Sequence, residues 1–331
     1  MKLLLRKIIF FTLYHMGLGT LFRRYNDKQK KIPVLLFHRV SDDKDEFWEP
    51  FSVDLFSRLL HFLSKRYDFI VIDELLQQEK INLENRCLIT FDDGYDDFVR
   101  NALPIMEKLK IKPTFFVTTG SISKNEIIWT SELNKAIDHT LVESVSIEED
   151  DFNKTLLLTT KHKKLESANV LLNYLKRQTN EKRIEVLKKI KKQLNYTKPL
   201  NQNMLTWDEL NLIKDRVDIQ SHSVTHPMVT KLNKLELQNE LTASKNIIEE
   251  NLNIQVKYFS YPIGDCNDDV VTVTKKYYDA AFAVGDELLD TKKVNDPSYR
   301  FQLPRINITD QSIYEVYFRI NGFHSLLRKK K

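Results

Sequence analysis

The 331-residue chain is 42% hydrophobic and 29% charged, which excludes a disordered polymer and supplies a core for one large α/β domain or two ordinary ones. Its two cysteines, Cys87 and Cys266, exclude a disulfide framework and fit a reducing compartment, so a cytoplasmic location is expected, peripheral at the inner membrane face if the N-terminus binds lipid. The net charge of +5 hides a segregation: residues 1–31 hold eight Lys/Arg against one Asp, 328–331 are four bases, 161–200 carry twelve bases against three Glu, and the rest sums to −15.

The chain opens on a basic, apolar extension, residues 1–31, in which the run 8–22 is flanked by Arg6, Lys7, Arg23 and Arg24. The run falls short of the roughly 20 residues of a membrane span and is interrupted by His15, Gly17 and Gly19. It ends on Leu21, Phe22 and two arginines instead of small residues, which argues against a cleaved signal. Two readings stay open: a helix on the membrane surface with its arginines toward head groups, or a helix packed on the domain. An uncleaved anchor for export is a third.

From residue 32 short β-rich runs alternate with helical patterns, the mark of a parallel sheet wrapped by helices. Strands are predicted at 33–37, 69–72, 87–91, 114–117, 217–220, 258–261 and 280–284. Leu55, Phe56, Leu59, Leu60 and Leu63 recur at helical spacing across 54–67, as do Leu237, Leu241, Ile248 and Leu252 across 234–252. Seven or so β/α units suggest a barrel more than an open sheet. Residues 125–203 break the rhythm: they hold no convincing strand and read as helices such as 167–175 and 181–194. The expected organisation is therefore an α/β barrel over 32–310 with a helical insertion at about 125–203, followed by a C-terminal helix and basic tail over 311–331.

Four segments carry candidate chemistry. The strand 87–91 runs into Asp92, Asp93, Gly94 and Tyr95, placing two carboxylates at the strand edge where barrel enzymes collect catalytic groups. Asp-Asp alone is weak, since Asp42/Asp43, Asp96/Asp97, Asp150/Asp151 and Asp268/Asp269 repeat it. The position after an apolar strand and before a scarce glycine sets this pair apart. After the strand 217–220, His222 and His226 stand four residues apart, borderline ligands suited to a divalent ion. Pro227 disfavours helical geometry at His226, so the pair belongs on a loop. Ser260, Tyr261, Pro262, Ile263 and Gly264 close another strand, where a simple turn is the plain reading. The segment 301–306 suits a last short strand that brings Arg305 near the barrel mouth, a surface arginine being the bland alternative.

The order T-F-D-D-G-Y (90–95), S-H-S-V-T-H-P (221–227) and Y-P-I-G (261–264), with L-L-F-H-R-V at 35–40, resembles the polysaccharide deacetylase family, carbohydrate esterase family 4 with its NodB homology domain. The resemblance covers residues 32 to about 310. It implies a distorted (β/α)7 barrel with Asp92 as general base and Asp93, His222 and His226 as ligands of a divalent metal, zinc ahead of cobalt, nickel, iron or manganese. It further implies the Tyr261 backbone N–H as an oxyanion donor and an N-acetylated or O-acetylated saccharide as substrate, in surface polysaccharide biosynthesis or modification. Two imidazoles and one carboxylate leave open positions on a metal, as a catalytic site requires.

The chain departs from the family at two places. Many members carry an arginine two residues before the proline of the third motif, where this chain has Ser260. Many end on Leu-x-His with a general-acid histidine, where Leu303, Pro304 and Arg305 offer an arginine that cannot donate a proton. His38, at the end of the first strand, is a candidate for the mouth. Tyr95, Pro262 and Trp207 are candidate substrate contacts, and Trp129 and Trp207 either stack on sugars or pack in a core. Two rivals follow from other classes: a barrel glycosidase using paired carboxylates, and a non-catalytic glycan-binding or assembly protein. No Walker-type or G-x-G-x-x-G loop and no nucleic-acid module is present, so neither a nucleotide nor a nucleic acid is expected as partner.

Overall fold

A computed structural model describes residues 2–77, 82–149, 151–197, 204–309 and 312–323. Its strands in chain order are β1 (Lys31–Ile32), β2 (Val34–Phe37), β3 (Asp68–Phe69), β4 (Arg86–Phe91), β5 (Thr114–Val117), β6 (Ser144–Glu149), β7 (Phe152–Leu157), β8 (Asp218–Ser221), β9 (Tyr258–Ser260), β10 (Ala280–Phe282), β11 (Leu289–Asp290) and β12 (Ile306–Asn307). Seven form one parallel sheet in the order β10-β9-β8-β5-β4-β2-β12, with β3 paired to the start of β4. Parallel bridges from Phe282 to Leu303 and from Gly285 to Ile306 bring the sheet's two ends together. The Ala283 N–H donates to the Leu303 carbonyl at 2.9 Å and the Gly285 N–H to the Arg305 carbonyl at 2.8 Å. The result is a distorted (β/α)7 barrel.

Strands buried on both faces read as continuous apolar runs, and β2 and β5 are buried at every position. Side-chain alternation still sorts them. Cys87, Ile89 and Phe91 of β4 pack outward under the helices, whereas Leu88 clusters with Val34, Phe116, Tyr258 and Phe282 in the interior. Thr90 and Asp92 share the parity of Leu88, which is how a carboxylate comes to stand inside the barrel.

Several predicted bounds shift. The strand expected at 69–72 stops at Phe69, because Ile72 opens the helix Ile72–Leu76, whose N3 residue Glu74 accepts from the Val71 N–H. The helix expected over 54–67 runs Val53–Leu63 behind a Ser52 cap, and the one at 234–252 is Lys234–Leu252 behind Asn233. The insertion is not all helical: β6 and β7 form an antiparallel hairpin. Its alternation is hard to see in sequence because only Val145 and Ile147 are fully buried, while Phe152 and Leu156 of β7 pack on the same core half-exposed and the rest of β7 faces solvent. This hairpin packs with the helices Trp129–His139, Lys161–Leu175 and Asn180–Gln193 around a second core that includes Leu133, Leu171 and Val186.

The N-terminal extension folds as two helices, α1 (Lys2–His15) and α2 (Leu18–Lys28), joined at Gly17, whose φ of 80° is left-handed. Both lean on the helix Ile313–Arg319, with Phe10 and Phe22 against Phe318 and Phe323. No helix among the described residues is long and apolar enough to cross a membrane. The basic tail at 328–331 lies outside the described residues.

Phe282 is fully buried at the closing seam, beside Phe116. Phe282→Ala is expected to lower unfolding free energy by about 3–5 kcal/mol in a denaturant titration, with loss concentrated in the barrel rather than in the insertion's separate core.

Candidate functional site

At the exit of β4 the backbone turns sharply. The Asp92 N–H donates to the Phe37 carbonyl at 3.1 Å, and Asp93 then takes φ 84° and Gly94 φ 109°. A non-glycine residue at positive φ is strained, and aspartate tolerates it better than most. The turn makes the neighbouring carboxylates diverge, Asp92 into the barrel and Asp93 toward the loop after β8.

That loop carries both histidines. His222 extends β8 by donating its N–H to the Val117 carbonyl at 3.0 Å. Ser223 and His226 adopt φ of 69° and 53°, so the segment is not helical. Glu240 fixes it by accepting from the N–H groups of Val224 (2.7 Å) and Thr225 (3.0 Å) and from the Thr225 hydroxyl (2.6 Å). The Trp129 indole N–H donates to the His226 carbonyl at 2.9 Å. The Gly120 N–H bonds the Val224 carbonyl, against which an added Cβ would stand at 2.5 Å.

Asp93, His222 and His226 come together as a buried cluster that could hold a metal ion. Asp93 Oδ1 lies 3.5 Å from Nε2 of each histidine. The His222 Nδ1 sits 2.8 Å from the Ser260 carbonyl, which places its proton there and frees Nε2 as a donor of electrons. Among the described residues neither Asp93 Oδ1 nor His226 Nδ1 finds a hydrogen-bond partner. Buried polar atoms left in this way are costly, and a divalent cation would satisfy the carboxylate. Two imidazoles and a carboxylate suit zinc or a similar ion with positions to spare. Burial, helped by the charge of Asp92, pushes the Asp93 carboxyl up, a push that a bound cation reverses. Burial likewise pushes both histidines down, toward the neutral form that binds metals.

Asp92 has a different environment. Arg305 grips it with two contacts, Nη1 to Oδ1 at 2.6 Å and Nη2 to Oδ2 at 2.7 Å. The Ser260 hydroxyl donates to Oδ2 at 3.1 Å and accepts from Arg305 Nη2 at 2.6 Å. Burial alone would raise this carboxyl, but Arg305, then His222, hold it well below the usual carboxylate range. Three of roughly four lone-pair sites are filled, leaving one on Oδ1. Arg305 is not a surface arginine: it is fully buried, its guanidinium 5.3 Å from the centre of the Phe116 ring.

The other expected site residues divide. The Tyr261 N–H donates to the Phe282 carbonyl at 3.0 Å because the β9–β10 ladder runs one residue past Ser260, so it is not free as an oxyanion donor, and that expectation is corrected. The Tyr261 ring points outward into the main core. Pro262 is buried in the short turn Pro262–Gly264. Tyr95 is buried against Trp48, with Arg39 over its ring and its hydroxyl on Ser131, so it builds the wall beneath the mouth. Trp207 begins the helix Trp207–Ile213, packs on the main core and donates to Ser123 Oγ. Trp129 is a core residue of the insertion, with Arg183 4.7 Å from its ring. His38 stands near Asp92; burial lowers it to about 4. It borders a cleft of about 580 Å³ also lined by Trp48, Pro50, Arg58, Asn307 and Thr309. Glu240, Ser260 as a bridge, and Trp48 escaped the sequence reading. Only Ser260 had a signal, as the residue replacing the family's arginine.

The family model for polysaccharide deacetylase matches residues 80–278. The Bacillus subtilis (strain 168) protein YxkH, itself named for this family, is 28% identical over 131 residues, 38% of this chain and 46% of its own length. A poly-beta-1,6-N-acetyl-D-glucosamine N-deacetylase of Staphylococcus aureus (strain MRSA252) is 24% identical over 77% of this chain and 66% of its own length. The chain thus spans about half of the first relative and just under two thirds of the second. Among solved structures, the Streptococcus pyogenes deacetylase PplD in complex with acetate superposes with a TM-score of 0.60 at 17% identity, over 88% of this chain and 98% of that one. IcaB from Ammonifex degensii gives 0.56 at 15% identity, over 88% and 97%. These likenesses show a shared fold.

Trp129→Phe keeps the ring but removes the donor that fixes the His226 carbonyl. It is expected to weaken zinc binding by roughly 10-fold or more in isothermal titration calorimetry, with the melting midpoint little changed.

Proposed function

The chain belongs to the polysaccharide deacetylase family, and on that premise we propose that it hydrolyses acetyl groups from an N-acetylated (or O-acetylated) polysaccharide or oligosaccharide, with Asp92 as general base. Asp93, His222 and His226 hold the divalent ion, zinc first among the candidates. The observation that carries this reading is the division of two adjacent carboxylates by environment, Asp92 clamped by Arg305 and Asp93 turned to the histidine pair. The Staphylococcus aureus relative, a deacetylase of an N-acetylglucosamine polymer by name, supports modification of a surface polysaccharide as the setting.

When bound, the ion supplies Lewis acidity that polarises the acetyl carbonyl and acidifies a water. The chain's own residues do the rest. The remaining Oδ1 lone pair of Asp92 accepts a proton as the water oxygen bonds to the acetyl carbon. Arg305 keeps the carboxylate ionised and fixed in orientation until that moment. Cleavage of the C–N bond requires a proton on the departing amine. Arg305 cannot release one, and His38, lowered to about 4, is uncharged near neutral pH. The proton taken by Asp92 is therefore the one returned to the amine, and acetate leaves. A glycosidase reading gains nothing from carboxylates so differently engaged.

The test is acetate release from N-acetylglucosamine oligomers and a pooled bacterial surface polysaccharide, using metal-stripped protein reloaded with single divalent ions. Release is expected only with metal, and Asp92→Asn is expected to cut it by about 10²–10⁴-fold while metal stays bound. Tight metal and glycan binding with no acetate under any ion would favour the glycan-binding alternative, and chelator-insensitive cleavage of a glycosidic bond would favour the glycosidase.

A further inference from the structure

A surface helix ordinarily turns its polar side to water. α1 does the opposite. Leu4 with Ile8 and Leu5 with Ile9 stand four residues apart on one face and are 65%, 52%, 57% and 47% exposed, and Met16, just past the end of the helix, is 69% exposed. α2 continues the surface with Leu21 and Tyr25, again four residues apart and both exposed. Of the fifteen large hydrophobic residues exposed among those described, eight lie between positions 4 and 25. Single exposed apolar residues need no explanation, but a continuous group marks an interaction surface.

The helices are held in place by their opposite faces, so the exposure is not a consequence of loose docking. Phe10 is buried against Phe318, Arg6 pairs with Glu315, and the Tyr317 ring closes over Gly19, where an added Cβ would meet it at 2.6 Å. The Asn26 amide donates to the Asn321 carbonyl at 2.8 Å. The surroundings of the apolar face are basic. Lys7, Arg24 and Lys28 flank it, and the lone acid of the first 31 residues, Asp27, accepts from the Asn85 N–H. Four more bases, Arg328 to Lys331, follow in sequence within eight residues of Phe323, which packs on Phe10 and Phe22.

We infer that α1 and α2 form a peripheral membrane-docking surface whose partner is an anionic lipid bilayer. The apolar stripe enters the acyl boundary and the bases meet head-group charge, the arrangement of interfacial helices. The fold sets the orientation. α2 is fastened at Asn85, the residue before β4, and through Arg23 to the Arg66 carbonyl, just ahead of β3. Both contacts lie at the edge where strands enter the sheet, whereas Asp92, Asp93 and His222 lie where strands leave. Along the six residues of β4 that separation is roughly 20 Å. A bilayer under α2 leaves the mouth open to a polymer in water. This inference stands apart from the deacetylase reading.

The test is co-sedimentation of the full chain with vesicles of phosphatidylcholine alone and of phosphatidylcholine mixed with phosphatidylglycerol. Binding to the mixed vesicles is expected to exceed binding to the neutral ones by about tenfold and to weaken with salt. Leu5→Glu/Ile9→Glu should abolish it, and Arg24→Glu/Lys28→Glu should reduce it toward the neutral-vesicle level, with melting midpoint and far-ultraviolet circular dichroism unchanged in both. Equal weak binding to both vesicle types overturns the inference. So does a solution dimer that Leu5→Glu/Ile9→Glu converts to monomer without any vesicle binding, which would assign the face to a second copy of the chain.

Discussion

The Arg305–Asp92 pair is the constraint on which the site depends. Both side chains are buried, so each would be strongly disfavoured alone, and removing one partner of such a pair typically costs about 3–5 kcal/mol. The two-pronged geometry, the Ser260 bridge and the contact of Arg305 Nη1 with Thr90 Oγ1 satisfy the polar atoms that burial strips of water. Arg305 also belongs to the backbone seam, its carbonyl accepting from Gly285 and its neighbours pairing with β2 through β12. One residue thus helps to close the barrel and orients the carboxylate inside it. The proposed base and the closure of the barrel depend on a single residue.

The Asp93–His222–His226 cluster is built on strain that other parts of the fold offset. Asp93, Ser223 and His226 all sit at positive φ, a conformation costing of order 1–3 kcal/mol for each residue. Glu240 on the helix Lys234–Leu252 and Trp129 from the insertion supply the hydrogen bonds that hold the histidine loop in this shape. The insertion is therefore not a passive appendage. Its second core fixes Trp129, Trp129 fixes the His226 carbonyl, and His226 faces Asp93.

Much of this was legible in the order of residues. The apolar run ahead of Asp92 announces a strand buried on both faces, and the Asp-Asp and His-x-x-x-His spacings past the strands 87–91 and 217–220 announce the edge where ligands gather. Side-chain parity explains why Asp92 and Ser260 point inward. What pairs across the barrel is not legible: Arg305 and Asp92 lie 213 positions apart, and no local pattern distinguishes a buried arginine from a surface one. Ser260 stands where the family resemblance implies an arginine, and the guanidinium that reaches the same carboxylate comes from Arg305, just before the last strand, a pairing that only the three-dimensional fold reveals. Tyr261 failed as an oxyanion donor because ladder length depends on the neighbouring strand. The β6–β7 hairpin escaped because it has one weakly apolar face, and the roles of Glu240 and Trp48 have no sequence signature.

The most direct test of the account is the turnover of Arg305→Lys on N-acetylglucosamine oligomers, compared with the unaltered chain at equal metal occupancy. Lysine keeps the charge but cannot reproduce the planar fork. If Arg305 orients the base, kcat falls by about 10²-fold with KM and metal content little changed. An unchanged kcat would contradict the account and reduce the pair to a structural ion bridge.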